Sequence, residues 1–302
     1  MDFITRYLKT LCFYRPIIIH SEAYNKFVGR LQKGGINIIC CYDLISTRLI
    51  PEPALFVAEN KKNYQELTLE GRKVVFYDTK VQTEKETKEG ENDLQEQLYI
   101  KPSRYQNFTP SYIVERILET EPLYFEQVYR RLAKLPWDIG VTEHCLIRET
   151  TEADVDEFYK IYAEPSISKY MEMLYPDREQ ELQYARDYRD MIYSLYGFGM
   201  WTITDKKTGE VIGRAGLSMR EDFEEPELGF LIAKPYQQNG LALEVCCKIL
   251  QIARTELEMK TVQALVQPEN IASVKLCDRL GFHYADTVFV KGRHYNRYLI
   301  KL

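Results

Sequence analysis

One turn of the sequence brings small and uncharged polar residues to a point where backbone groups bind anions. The stretch PYQQNGLALEV, residues 235–245, joins a predicted strand, ELGFLIA, to a predicted helix, LALEVCCKILQIARTEL. The first N–H groups of a helix have no internal partner, and the helix dipole there favours negative charge. Gly240 lets a ligand approach the backbone closely, and Ala242 keeps the first turn small. The turn therefore has the features of a pyrophosphate site, with an ordinary capping glycine as the alternative explanation.

Two motifs in order carry a family resemblance. Gln237, Gly240 and Ala242 match the pattern Gln/Arg-x-x-Gly-x-Gly/Ala, which is neither a Walker A loop nor Gly-x-Gly-x-x-Gly. The later stretch QPENIASVKLCDRLGF, residues 267–282, opens a predicted helix with an Asn and ends in Leu-Gly-Phe. With these motifs and the order of its elements, the part from 142 to 302 resembles the GNAT superfamily of N-acetyltransferases. Within it, the chain is most similar to the branch that acetylates ribosomal-protein N-termini and small amines.

The resemblance implies acetyl-coenzyme A as co-substrate and no metal. In this family the backbone of the predicted strand pairs with the pantetheine arm, an extended diamide, as an added strand would. That pairing places Phe230, Leu231 and Ile232 along the cofactor. Asn270 stands where the family has a side chain near the pantetheine, and it is also a predicted helix N-cap. The residues expected around the pyrophosphate are Gln237, Gln238, Asn239, Gly240, Leu241 and Ala242.

Acetyl transfer to an amine requires a proton acceptor for the ammonium and stabilisation of the leaving thiolate. Glu227 begins the strand ELGF, and the resemblance implies a general base there; a solvated carboxylate at the strand end is the alternative. The nearby Glu224 and Glu225 are expected to raise its pKa. Where many relatives have a Tyr, this chain has Cys277, a candidate proton donor whose alternative role is a core residue.

The amine acceptor has its own candidate residues. Tyr170, Glu172 and Tyr175 lie in YMEMLYPD, between two predicted helices where this family builds its acceptor pocket. The acidic run REDFEEPE before Glu227 predicts either a rim that attracts a cationic amine or a plain solvated loop.

The order of predicted elements divides the chain into three parts. Residues 1–110 alternate strand and helix, beginning with a strand over 16–20, which predicts a small parallel α/β domain with a charged loop over 79–97. It resembles a truncated haloacid-dehalogenase-type or other Rossmann-like unit without Asp-x-Asp or a dinucleotide glycine fingerprint, so an accessory role is expected. Residues 111–141 are predicted to form a linker, with a helix over 111–135. Residues 142–302 are the GNAT domain, an α+β fold with a mixed, mostly antiparallel sheet.

Local signals predict details within that domain. Thr151 and Asp154 predict a capping box at the start of one helix, residues 177–196 predict one longer helix, and Gly281 predicts the end of the helix that Asn270 opens.

The composition limits which classes of partner and which cellular compartment we expect. The formal net charge is −5, and no Lys/Arg run stands clear of acids, so no nucleic-acid partner is expected. No apolar run reaches membrane-spanning length and no signal peptide is evident, so we expect a cytoplasmic protein without a membrane partner. Seven Cys and four His lack disulfide or zinc spacing. The oligomeric state stays open, a homodimer included.

The sequence therefore predicts transfer of acetyl from acetyl-coenzyme A to a primary amine of a small molecule or a peptide N-terminus. Direct attack in a ternary complex is expected, because no Cys/His pair suggests an acyl-enzyme. The alternative is a module that senses acetyl-coenzyme A without turnover and uses the N-terminal domain as output.

Overall fold

The computed structural model of the chain describes residues 7–16, 21–79 and 108–302. The chain forms two compact units, Met1–Leu135 and Pro136–Leu302. The predicted linker is shared between them. Apart from Thr79, the predicted charged loop over 79–97 lies outside the described residues. Within the described residues, no helix has both the length and the apolar character needed to span a bilayer.

The first unit contains a five-stranded parallel sheet with the order β2-β1-β3-β4-β5, which confirms the predicted parallel α/β class. Its strands are β1 (Thr10–Tyr14), β2 (Asn37–Cys41), β3 (Ala54–Ala58), β4 (Val74–Tyr77) and β5 (Ile113–Val114). Its described helices are α1 (Glu22–Lys33), α2 (Leu44–Arg48), α3 (Lys61–Leu69) and α4 (Pro122–Leu132).

Two predictions for this unit are wrong in part. The first strand is β1, whose five residues are all buried, and it precedes the predicted strand over 16–20. Of that prediction only Pro16 is described, and it lies outside any strand. The predicted helix over 111–135 begins only at Pro122, a favoured first helical residue. Before it, β5 pairs in parallel with β4, so the sheet takes residues that local pattern had assigned to a helix.

The second unit contains an eight-stranded sheet with the order β12-β13-β11-β10-β9-β8-β7-β6. Its strands are β6 (Asp138–Val141), β7 (Cys145–Arg148), β8 (Met200–Asp205), β9 (Val211–Ser218), β10 (Glu227–Ile232), β11 (Thr261–Val266), β12 (His283–Val290) and β13 (Arg293–Lys301). Among them only β10 and β11 are parallel neighbours, which confirms a mixed, mostly antiparallel sheet.

The helices of this unit follow the predicted order. They are α5 (Val155–Tyr162), α6 (Pro165–Ser168), α7 (Arg178–Asp187), α8 (Ser194–Tyr196), α9 (Leu241–Thr255) and α10 (Ile271–Leu280). A π-helical turn, Tyr188–Tyr193, joins α7 to α8 where one continuous helix was expected. The predicted capping box of Thr151 and Asp154 precedes α5, and Gly281 ends α10 at a left-handed φ of 88°.

Helix α9 packs its apolar residues into the main core of this unit. Val245, Cys246 and Ile249 are fully buried there, together with Ile203 and Ala215 of neighbouring strands. This packing fixes the first turn of α9 at the end of β10, which is the turn that the sequence singled out.

The two parallel strands β10 and β11 form a backbone pair at only one position. Glu227 pairs with Gln263, and among the described residues no later residue of β10 pairs with β11. On its other side, β10 pairs with β9 from Glu227 to Ile232. Residues 228–232 therefore keep an open backbone edge toward β11.

We expect the second unit to fold without the first, because the fragment 136–302 contains a complete sheet and its own core. The fragment should unfold cooperatively and bind acetyl-coenzyme A with about the affinity of the full chain. Circular dichroism during heating and calorimetry with acetyl-coenzyme A test this. An unfolded or insoluble fragment would contradict the division at residue 136.

Candidate functional site

A cavity of about 370 Å³ opens where β10 and β11 separate. Its walls come from both strands, from β9 and from the segment between α6 and α7. Six residues that the sequence singled out line it: Tyr170, Glu172, Tyr175, Glu227, Phe230 and Asn270. Candidates from three separate segments of the chain thus share one cavity, and their roles remain predictions.

Glu227 is a buried carboxylate in the cavity wall, with only 7% of its surface exposed. Burial raises its pKa; Arg220, which bonds to the carboxylate through Nε and Nη2, lowers it, and the net shift is upward. The nearby negative charge that also raises this pKa is that of Glu172. Glu224 and Glu225 were expected in that role, but Glu224 is exposed and Glu225 faces Arg297 at 3.8 Å.

Glu172 links Glu227 to a second cation. It accepts from Nη1 of Arg220 at 3.3 Å and from Nζ of Lys291 at 3.1 Å. Partial burial raises the pKa of Glu172, but these two cations outweigh burial and lower it overall. Glu172 therefore remains ionised while the pKa of Glu227 is raised. The two carboxylates of one cavity thus differ in their affinity for a proton.

The three predicted cofactor residues of β10 differ in their side chains. Phe230 lines the cavity, whereas the side chains of Leu231 and Ile232 are buried. Leu231 packs with Phe158 of α5. The side chains of Leu231 and Ile232 therefore do not face the cavity, and a cofactor would pair with the backbone edge of β10 instead.

The turn after β10 has the geometry that its sequence suggested. Gln237 donates from Nε2 to the carbonyl of Ile232 at 2.8 Å, which ties the turn to the end of the strand. Gly240 is the N-cap of α9, with a left-handed φ of 81° and open space where a Cβ would lie. No described side chain caps this end of α9, so the N–H groups of its first turn remain available to an anion.

The other turn residues are also compatible with an anion site. Gln238 also takes a left-handed φ, 64°, and both Gln238 and Asn239 are exposed. Leu241 is buried and Ala242 half-buried against the core. Glu244, the acid of the first turn, accepts from the N–H of His144 at 2.9 Å. The six predicted turn residues thus stay expectations supported by the backbone conformation.

Asn270 has both of its predicted features. Its side chain accepts from the N–H of Ser273 at 3.2 Å as the N-cap of α10, and it lines the cavity. Beside it, Gln267 lines the cavity with a buried amide nitrogen that has no hydrogen-bond partner among the described residues. An extended diamide in the gap between β10 and β11 would give that nitrogen an acceptor, so the site fits a pantetheine arm.

Cys277 does not line the cavity. It is fully buried in the core, and burial raises the pKa of its thiol to about 12. The prediction of Cys277 as proton donor finds no support in this position, which agrees with the alternative of a core residue.

The remaining acceptor candidates sit at the rim. The Tyr170 hydroxyl donates to the carbonyl of Glu269 at 3.2 Å, and Tyr175 is half exposed. The acidic run contributes only its two ends, Arg220 and Glu227, to the cavity. Attraction of a cationic amine by this run, which was one of two expectations, stays a prediction.

Sequence reasoning missed the cavity face of β9. Arg214, Ser218 and Arg220 line the cavity. Arg214 and Ser218 are four residues apart and share one side of β9, and Arg220 lies two residues beyond the end of the strand. Ser218 pairs directly with Glu227. The alternating stretch GRAGLSMR contained this signal, but strand alternation does not tell which face of a sheet meets a cavity.

Comparisons with known proteins agree with this geometry. A family model described as an acetyltransferase (GNAT) domain matches residues 144–283. The N-acetyltransferase p20 of Bacillus licheniformis is 30% identical over 170 residues, which cover 53% of this chain and 93% of that protein. The chain belongs to the GNAT acetyltransferases.

Two solved structures are similar to about half of this GNAT chain. An acetyltransferase from Agrobacterium tumefaciens has 22% identity and a TM-score of 0.45, with 53% of this chain and 92% of that one covered. A ribosomal-protein alanine acetyltransferase from Vibrio fischeri has 15% identity and a TM-score of 0.47, with 54% and 95% covered.

The protein is thus an acyltransferase, and GNAT enzymes use acetyl-coenzyme A as acetyl donor. Within the described residues, no group of three or more His, Cys, Asp or Glu is arranged to hold a metal ion.

Gly240 provides a test of the pyrophosphate turn. Asn and Asp have nearly the same shape and tolerate a left-handed φ better than most residues, so Gly240→Asn and Gly240→Asp form a matched pair. The added negative charge of Asp should weaken acetyl-coenzyme A binding at least about tenfold relative to Asn. Calorimetry with both folded variants measures this difference, and equal affinities would exclude the pyrophosphate from this turn.

Proposed function

We propose that the second unit transfers acetyl from acetyl-coenzyme A to a primary amine by direct attack in a ternary complex, with Glu227 as general base. The observation that carries this proposal is the position of Glu227: a buried carboxylate of raised pKa, at the one point where β10 and β11 meet before they separate. The amine belongs to a small molecule or to a peptide N-terminus.

The cofactor would be held by backbone groups more than by side chains. The open edge of β10 over 228–232, the amide of Gln267 and the side chain of Asn270 would hold the pantetheine arm. The N–H groups from Gln238 to Ala242 would hold the pyrophosphate. When bound, acetyl-coenzyme A supplies an activated acetyl group as a thioester.

Glu227 is suited to take the proton that the ammonium must lose. A carboxylate whose pKa is raised by burial is a stronger base than a solvated one, and Arg220 holds it in a fixed orientation. No Cys or His is among the described residues that line the cavity, which favours direct transfer over an acyl-enzyme. No side-chain acid is assigned to the leaving thiolate.

Replacement of Glu227 by Gln keeps the shape and removes the proton acceptor. Turnover should fall by about 10²- to 10⁴-fold, while acetyl-coenzyme A affinity changes little. The loss should shrink at high pH, where more of the amine is already neutral. Release of coenzyme A under conditions where chemistry limits the rate measures this. The matched control is Glu224→Gln, which neutralises an exposed carboxylate three residues away. Near-normal turnover in Glu227→Gln would show that the proton leaves by another route.

The charges around Glu227 predict opposite shifts in the pH profile. Arg220 lowers the pKa of Glu227 and Glu172 raises it. Arg220→Gln should therefore raise this pKa, so that kcat/KM starts to fall at a higher pH as the solution is acidified. Glu172→Gln should move the same limb to lower pH. Profiles with one amine for all variants test this, and shifts in the same direction would contradict the assigned base.

The sensor hypothesis predicts a different result. A protein that binds acetyl-coenzyme A but releases no coenzyme A with any amine or peptide would support it and would contradict the proposed function.

A further inference from the structure

Arg214 lines the acceptor side of the cavity without an acidic partner. It lies on β9, four residues before Ser218, and faces the same side of the sheet. Its Cζ lies 4.6 Å from the centre of the Phe158 ring, which packs from α5. Its Nε atom is buried and has no hydrogen-bond partner among the described residues.

Other buried or half-buried arginines of this unit are paired. Arg148 donates to Asp154 at 2.6 Å and Arg189 to Glu152 at 3.0 Å. Arg220, in the same cavity, bonds to Glu227 and Glu172. Across the described residues, by contrast, no carboxylate oxygen lies within 4 Å of the Arg214 guanidinium. Glu181 lines the same cavity, but its Oε2 accepts from the N–H of Tyr175 at 2.9 Å.

The groups that interact most strongly with Arg214 are tyrosines, and one of them, Tyr162, also shares a side-chain hydrogen bond with it. The four are Tyr162, Tyr184, Tyr188 and Tyr193. Burial raises the pKa of Tyr184 to about 12, and it raises the pKa of Tyr162 and Tyr188 as well. These hydroxyls are therefore neutral at physiological pH and leave the charge of Arg214 uncompensated.

Arg214 is half-buried, and a half-buried cation loses part of its hydration without an ion pair in return, which is costly. The sheet provides no acidic cross-strand partner for Arg214. The residue that pairs with Arg214 on β10 is Leu231, and the one on β8 is Thr202. A side chain that destabilises its surroundings in the free protein is typical of a ligand site.

We propose that Arg214 binds a carboxylate of the acceptor, so that the acceptor is an amino acid or another small amine that carries a carboxylate. This inference rests on the proposed function, because Glu227 marks where the amine must lie. A guanidinium binds a carboxylate through two parallel hydrogen bonds, which gives orientation as well as affinity.

The register of the sheet sets the size of this acceptor. Glu227 pairs with Ser218, and Leu231 pairs with Arg214. The two positions are four residue steps apart along the strand, about 13 Å at about 3.3 Å per residue. Both side chains extend into the cavity between them, so a compact molecule reaches both. A diamine or polyamine would put a second cation beside Arg214 and is disfavoured.

Paired substrates test the inference with the full chain. The panel contains α-amino acids and ω-amino acids of increasing length, each with its primary amide, in which the carboxylate is neutral and the amine is kept. We expect kcat/KM to be about 10- to 100-fold higher for the best acids than for their amides, the usual worth of hydrogen bonds to a charged group. Equal or better rates with the amides, with diamines or with blocked peptides bearing only a free N-terminus would overturn the proposal.

Variants assign the preference to Arg214. Arg214→Gln should abolish the discrimination between acid and amide, mainly through KM, and Arg214→Lys should restore part of it. The control is Arg254→Gln, an exposed arginine in the last turn of α9. Because the free cation is unpaired, Arg214→Gln should melt at the same or a higher temperature than the parent. An unchanged acid-to-amide ratio in folded Arg214→Gln would refute the assignment.

A binding measurement separates this inference from the proposed function. If no amine is acetylated, the proposed function fails, and calorimetry of the panel against the coenzyme A complex then decides about Arg214. Acids that bind more tightly than their amides to the parent, but not to Arg214→Gln, would support the carboxylate site. Absence of binding by any acid, or equal binding of acids and amides, would refute it.

Discussion

The second unit is organised around the single backbone pair between β10 and β11, which joins Glu227 to Gln263. β10 is held by β9 along its whole length and β11 by β13, while α9 connects the two strands from the core side. Because the strands separate after Glu227, backbone groups of alternate residues of β10, Phe230 among them, face a gap and need partners from a ligand or water, whereas the Ile232 carbonyl already accepts from Gln237. The same separation opens the cavity, and the turn that follows β10 leads into the first turn of α9. A ligand with an extended amide arm and an anionic end matches both features.

The charged side chains of the cavity form one ion-pair network and leave one arginine outside it. Arg220 lies between Glu172 and Glu227, and Lys291 holds Glu172 from the rim. This network keeps one carboxylate ionised while burial raises the pKa of the other, which is how neighbouring acids take different roles. Arg214 stands outside the network. Its position in the acceptor part of the cavity makes the proposed site selective for charge as well as suited to proton transfer.

Local signals in the sequence predicted local structure well and pairing poorly. The capping box at Thr151, the glycine at 281 and the turn around Gly240 depend on a few neighbouring residues, and all three are present. The strand β1 and the short β5 depend on partners far along the chain, so apolar runs nearby were misleading. The six cavity residues were found through family motifs. Arg214 and Gln267 were missed, because their importance lies in hydrogen-bond partners that they lack, and a sequence does not display missing partners.

The central claim is that the gap between β10 and β11 holds acetyl-coenzyme A. Amide hydrogen exchange of the full chain, with and without acetyl-coenzyme A, tests it most directly, because the open strand edge and the first turn of α9 have N–H groups that exchange unless a ligand covers them. The account predicts slower exchange with ligand in peptides that cover 228–232 and 238–243. Saturating acetyl-coenzyme A that leaves both segments unchanged, or that slows exchange only in residues of the first unit, would contradict it.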